Sequence, residues 1–268
     1  MSASASSPLG ARAPLSGRRF GTLSNVIFFD VVGSTNDIGK SIAEQLLSDG
    51  TEIPPTVLVA RRQTAGRGRL SRSWISPDDT GLSLSLVLPW PEGPERVRLP
   101  LRLGVILARG LTRRFGVEIR LKWPNDLLAG RRKVGGILVE ARAGSDGDGY
   151  AVAGIGLNVS TSRPVLDAAG LREATSLADA GAAPAVLEGD AVLVAVLEEL
   201  DAGLSAPALD LATAFEAVSA HRRGEELTVV DAGGRTTGTY LGVTADGFLR
   251  LGTSGGEETV VSGDIAPF

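Results

Sequence analysis

Four stretches of the sequence gather groups that bind or neutralise negative charge, or clear room for a ligand. The first, "RRQTAGRGRLSRSW" from Arg61 to Trp74, holds five arginines and no acid in a chain of net charge −4. Gly66 and Gly68 free its backbone for close approach to a ligand. Arg67 and Arg69 carry forked donors that match carboxylate and phosphate oxygens. A solvated basic loop, or one that touches nucleic acid, has the same composition; Trp74 adds an aromatic face suited to a stacked base. The second stretch is "KWPND", Lys122 to Asp126. Pro124 ends a strand, and Asn125 and Asp126 favour a turn. Lys122 is then either an exposed residue beside an Asx-turn or a cation at the strand end where α/β sheets place ligands. Third come Lys133 with Gly135 and Gly136, and "GIGLN", in which Gly154 and Gly156 clear one face of a strand with Asn158 on the same side. Close strand–helix packing and a pocket for a compact ligand both fit. The fourth, "GSTN", offers Ser34, Thr35 and Asn36 as a helix cap or as hydrogen-bond partners for an uncharged polar group.

Composition narrows the chemistry. The 268 residues contain no Cys and a single His, His221, which removes disulfides, thiolate nucleophiles and Cys/His metal sites. His221 lies in "HRRGEE", without a nucleophile elbow nearby, so a Ser-His-Asp triad is not expected. Oxygen-ligated Mg²⁺ brought by a nucleotide stays open. An acidic chain is a poor nucleic-acid binder, and no apolar run reaches the roughly 20 residues that span a bilayer. Neither G-x-x-x-x-G-K-[ST] nor G-x-G-x-x-G occurs. The Ser/Ala/Gly-rich start carries Arg12, Arg18 and Arg19; it overlaps transit peptides in composition but reads as a flexible bacterial N-terminus over residues 1–24. A cytoplasmic protein is the expectation.

The elements that must position these groups follow from periodicity. "VIFFDVV" reads as a buried strand, followed by a helix with Ile38, Ile42, Leu46 and Leu47 on one face. "TVLVARR" and the alternating "GLSLSLVLP" read as strands, and residues 99–115 as a helix ending before Gly116. "VEIRLKW" is the next strand, "LLAGRRKVGGILVEA" a hairpin turning near Gly130, and "YAVAGIGLNV" a strand interrupted by glycines. Residues 178–195, 188–203 and 208–222 read as helical. From Gly224 the pattern becomes short strands separated by Gly-rich turns. The expected fold class is α/β (α+β): a mixed-sheet main domain over residues 25–222, then a small β-barrel over residues 223–268.

Taken in order, "GSTN", "QTAGRGR", "KWPND", "KVGGILVE" and "GIGLNV" resemble the motifs of bacterial biotin protein ligases, and the β-only tail resembles that family's SH3-like C-terminal module. The resemblance implies a biotin/lipoate-ligase fold and two half-reactions. Biotin's carboxylate attacks the α-phosphate of Mg·ATP to give biotinyl-5′-adenylate, and a lysine of a biotin carboxyl carrier protein then takes the acyl group. By the same resemblance Lys122 and Arg67 match catalytic positions. Ser34, Thr35, Asn36, Gln63, Gly66, Arg67, Gly68, Arg69, Lys122, Gly136, Ile137, Gly154 and Gly156 match positions around biotin. Arg69, Trp74, Asn125, Lys133 and Asn158 match positions around the nucleotide. ATP and Mg²⁺ are the implied co-substrate, and no metal site of the protein's own is expected. The Arg-rich loop is expected to close over a water-sensitive mixed anhydride, with arginines that repel one another until an anion arrives.

Two departures from the family pattern stand out. Gly135 occupies a place where many relatives have Ala, a change expected to matter little. Only 33 residues precede Ser34, against the roughly 60 of the winged helix-turn-helix in repressor-type relatives, so a monofunctional ligase is expected and no operator binding. A lipoate or octanoate ligase of the same fold is the alternative enzyme, and a biotin-sensing repressor the alternative regulator. The expected partner is a carboxylase carrier domain, with no nucleic acid and no membrane, in a monomer or homodimer.

Overall fold

The computed structural model describes residues 20–23, 25–76, 80–90, 93–143, 148–207, 209–231 and 233–266. Of the expected flexible start, residues 1–19 and 24 lie outside the described residues. Residues 20–23 are pinned instead: Phe20 and Leu23 are buried in the main core, and the Thr22 amide and hydroxyl both donate to Asp201 Oδ1 at 2.8 Å.

Seven strands make the main sheet: β1 (Asn25–Val32), β2 (Thr56–Gln63), β3 (Gly81–Pro89), β4 (Ile119–Lys122), β5 (Asp126–Ala129), β6 (Arg132–Ala143) and β7 (Gly149–Asn158). Their order is β1-β2-β3-β7-β6-β5-β4, with β1 and β2 parallel and every other pair antiparallel, so the sheet is mixed as expected. Helix α1 (Thr35–Ser48) crosses from β1 to β2 and covers one face, where Ile38, Ile42, Leu46 and Leu47 pack on Leu58, Val87, Tyr150 and Val152. Helices α2 (Glu95–Phe115), α4 (Ala191–Ser205) and α5 (Leu211–Glu216) cover the other face. A short α3 (Arg163–Ala168), with Pro164 in its first turn, was not foreseen. Both faces of β3 are therefore buried, and its alternation separates two cores rather than core from solvent.

Three expectations need correction. β1 is an edge strand, not a buried one: Ile27 and Val31 are each 40% exposed. Residues 178–190 are turns with a 3-10 segment at Pro184–Val186, because Gly181 (φ +101°), Pro184 and Gly189 (φ +55°) interrupt the Ala-rich periodicity. Helix α5 stops at Glu216, after which Ser219 bridges Leu121 in parallel and covers the outer edge of β4.

The C-terminal strands β8 (Glu226–Asp231), β9 (Gly234–Val243), β10 (Leu249–Thr253), β11 (Gly256–Val260) and β12 (Asp264–Ile265) form one antiparallel sheet in the order β11-β10-β9-β8-β12. No pairing between β11 and β12 closes it into a barrel among the described residues. This sheet shares its apolar core with the main one: Leu227, Tyr240, Leu249 and Ile265 join the cluster that holds Leu121 and Trp123. Trp123, from "KWPND", is 3% exposed and donates its indole N–H to the Gly247 carbonyl at 2.9 Å. Its role in the structure is to join the two sheets. No described helix is long and apolar enough to cross a membrane.

Candidate functional site

The α1 face of the sheet carries Ser83 and Ser85 on β3, Gly154 and Gly156 on β7, and Gly136 on β6, all side by side in register. Small residues here leave a hollow at the N-terminus of α1. A Cβ on Gly154 would fall within 3.0 Å of the Asn36 amide oxygen, and one on Gly156 within 3.0 Å of the Trp74 indole. The glycines therefore serve close approach by side chains as well as a cavity.

Ser34 takes the N-cap place of α1 in extended backbone but makes no side-chain cap bond. Its neighbours form a buried polar network instead. The Thr35 amide donates to Gln63 Oε1 at 2.8 Å, and its hydroxyl lies 3.1 Å from the same oxygen. Ser85 Oγ donates to Asn36 Oδ1 at 2.6 Å and stands 2.7 Å from Thr35 Oγ1. Asn36 Nδ2 donates to Glu140 Oε2 at 2.8 Å and to the Leu138 carbonyl at 3.3 Å. Buried groups satisfied this fully keep fixed positions, which suits recognition of a polar ligand.

Gly66–Trp74 folds on itself: the Trp74 amide donates to the Gly66 carbonyl at 2.9 Å and the Gly68 amide to the Arg72 carbonyl at 2.7 Å. Its arginines do not wait unpaired for an anion, as the sequence reading had them. Arg67 makes a two-pronged bond to Asp37, at 2.7 and 2.6 Å, and reaches Glu140 at 3.2 Å. Arg69 and Arg72 both pair with Asp264, at 3.4 and 2.9 Å. The bond from Arg67 holds the Asp37 carboxyl below its ordinary range. Burial pushes the Glu140 carboxyl up, but bonds from Lys40 and Asn36 and the charge of Arg67 outweigh it.

On the far side, Lys133 Nζ sits 2.6 Å from Asp126 Oδ1, and Asn125 Nδ2 donates to the Ile137 carbonyl at 2.6 Å. Lys122 ends β4 opposite Asp126, and its Nζ donates to the Ala266 carbonyl at 3.4 Å. Burial pulls its pKa below the usual lysine value, against the opposing charges of Asp126, Asp264 and Glu173.

Ser34, Thr35, Asn36, Gln63, Arg67, Gly68, Arg69, Trp74, Asn125, Lys133, Gly136, Ile137, Gly154 and Gly156 all line one cavity. Gly66, Lys122 and Asn158 stand outside the lining. Gly66 packs against the Trp74 carbonyl at the loop's base, and Asn158 donates to the Thr175 carbonyl at 2.9 Å behind the hollow. Also in the walls are Arg72, Ser73, Asp126, Leu138, Ile155 and Asp264, none of them assigned to the site from the sequence. Glu140 was within reach, since it shares the β6 face of Gly136 by period two; Asp264 carried no signal at all. The Trp74 indole N–H is buried without a partner among the described residues. Such an orphan donor in a cavity wall is a place for a ligand acceptor.

Residues 28–158 match the Biotin/lipoate A/B protein ligase family. The bifunctional ligase/repressor BirA of Bacillus subtilis is 36% identical over 138 residues, which are 51% of this chain and 41% of that protein. The match thus spans about two-fifths of BirA's length. The biotin–[acetyl-CoA-carboxylase] ligase of Mycobacterium tuberculosis is 30% identical over 249 residues, covering 88% of this chain and 87% of that protein. The solved biotin protein ligase from Aquifex aeolicus in complex with biotin and ATP superposes with a TM-score of 0.68 at 28% identity, over 90% of this chain and 97% of that one. With likeness extending through both sheets, the chain belongs to the biotin/lipoate A/B protein ligase family, among its biotin protein ligases.

Proposed function

We propose that this protein activates biotin with ATP to biotinyl-5′-AMP and transfers the biotinyl group to a lysine of a biotin carboxyl carrier protein. The observation that carries the reading is a compact polar hollow, with Thr35, Asn36 and Gln63 held in a hydrogen-bonded network, bordered by Arg67, Arg69 and Lys133. An uncharged bicyclic headgroup suits Ser34, Thr35, Asn36 and Gln63, over the floor cleared by Gly136, Gly154 and Gly156. Its carboxylate would then lie toward the cations, where the phosphates of ATP must also sit.

In the first step a biotin carboxylate oxygen bonds to the α-phosphorus as the bond to the bridging oxygen of pyrophosphate breaks. Both reactants are anionic, so fixed cations lower the barrier by meeting charge where it develops. Lys122 and Arg67 take that role in this reading, with Arg69 and Lys133 holding phosphate oxygens and Trp74 and Asn125 beside the base. In the second step the carrier's lysine amine attacks the acyl carbon and AMP leaves. Among the described residues no cluster of three or more His, Cys, Asp or Glu side chains could hold a metal ion, so Mg²⁺ would come on the nucleotide phosphates. We also read residues 223–268 as the family's SH3-like module and residues 25–222 as the catalytic domain.

The test is incubation with ATP, Mg²⁺, biotin and a carrier domain, followed by mass spectrometry. One biotin gained on one carrier lysine is the expected result; an unlabelled carrier overturns the proposal.

A further inference from the structure

We propose that Asp264 is a positioning residue through which the C-terminal strand latches the Arg-rich loop over the hollow. Asp264 is the first residue of β12, paired with Val230 of β8. The Ala266 amide donates to the Thr228 carbonyl at 2.8 Å and extends the pairing with β8 by one residue. Gly263, at φ +136°, lets the chain turn into β12 where a Cβ would stand 2.7 Å from Val229 Cγ1. The carboxylate is therefore carried on a fixed backbone, and its side chain is only 17% exposed.

Two loop arginines converge on it as ion pairs, Arg69 at 3.4 Å and Arg72 at 2.9 Å, the Arg72 contact being coulombic because Asp264 Oδ2 accepts no hydrogen bond among the described residues. Between them Leu70 holds φ +52° with most of its side chain in solvent. A leucine keeps left-handed backbone only where its surroundings impose it. Leu70 belongs to neither apolar cluster of the described residues, whereas Arg69 before it and Arg72 two residues after it are tied to one carboxylate. Ala266, the residue after β12, accepts the Lys122 ammonium at its carbonyl. The end of the C-terminal sheet thus touches the loop and the lysine together, and sets how often the loop opens.

A lone surface ion pair would contribute little. Here the acid is mostly buried, fixed and shared by two guanidinium groups, and its loss should raise loop opening about tenfold, equivalent to about 1.4 kcal/mol. The consequence for catalysis rests on the proposed function: a loop that opens more often releases more acyl-adenylate before the carrier arrives.

The experiment is hydrogen exchange on the ligand-free full chain for wild type, Asp264→Asn, Arg72→Gln and the double variant. Arg72 is 65% exposed, so Arg72→Gln removes the closer pair without disturbing the fold. Expected is faster exchange at Gly66–Trp74 in each single variant, about tenfold in Asp264→Asn, with the double no faster than Asp264→Asn. Labelling of bystander lysines relative to the carrier, with ATP, Mg²⁺ and biotin, should rise in the same proportion. Wild-type loop exchange in both single variants overturns the latch. So does acceleration in Asp264→Asn that spreads evenly through β8–β12 while Arg72→Gln exchanges like wild type. A wild-type protein that labels no carrier would sink the functional reading and leave the exchange test of the latch intact.

Discussion

Gly154→Ala should damage the site and the fold together. Strand β7 is hydrogen-bonded on both sides, to β3 and to β6, so its backbone has little room to shift. The added methyl would overlap the Asn36 amide, with its oxygen nearest and its nitrogen 3.2 Å away. Asn36 must therefore turn out, breaking its bonds with Ser85 and Glu140. A neutral bond is worth about 0.5–1.5 kcal/mol and one to a charged group about 1.5–3 kcal/mol. Alanine returns roughly 0.5–1 kcal/mol relative to glycine inside a strand. The net cost is about 1–4 kcal/mol, read by urea unfolding, and calorimetry should find biotin affinity reduced because Asn36 no longer lines the cavity. In an Asn36→Ala background the same substitution should cost almost nothing, since the obstruction is gone. A Gly154→Ala protein as stable as wild type, with unchanged biotin affinity, would refute the reasoning.

Gly135→Ala should destabilise this chain by about 1–3 kcal/mol through overpacking. The new Cβ would stand 2.5 Å from Leu157 Cδ2 and 2.7 Å from the Gly156 carbonyl oxygen, so equal or greater resistance to urea would contradict the account. Glu140→Gln should lower stability at neutral pH, and its difference from wild type should shrink in acid. The Glu140 carboxyl is held below its ordinary 4.5, so its contribution is present above that value and lost as pH falls through the lower folded value. Unfolding measured at pH 7 and near pH 3 checks this, and a constant difference would argue against it.

Much of this arrangement was legible in the sequence, for identifiable reasons. Period two placed Gly154, Gly156 and Asn158 on one face of β7, and the apolar spacing of Ile38, Ile42 and Leu46 set the helix over that face. Periodicity does not reveal which strand ends up at an edge, so the apolar "VIFFDVV" looked buried although nothing among the described residues pairs on its outer side. Asn158 followed the rule for its face, but the segment at Thr175 covers it and takes its amide. The carboxylates Asp37, Glu140 and Asp264, which occupy the loop arginines, come from three separate elements. Only the folded chain brings them together, and β12, two residues long, has no pattern to read. Gly135 illustrates the same limit: next to Gly136 it seemed interchangeable with Ala, yet it faces Leu157 and Leu127 in the opposite core.

On the proposed function this site joins a biotin carboxylate to the α-phosphate of ATP, with Lys122, opposite Asp126 and just outside the cavity lining, meeting the developing charge. Exchange of labelled pyrophosphate into ATP measures that step without a carrier. The account predicts exchange that requires biotin, is not supported by lipoate or octanoate, and falls about 10²–10³-fold in Lys122→Ala, as for other fixed transition-state donors. Exchange driven by lipoate or octanoate in place of biotin, or undiminished in Lys122→Ala, would contradict it.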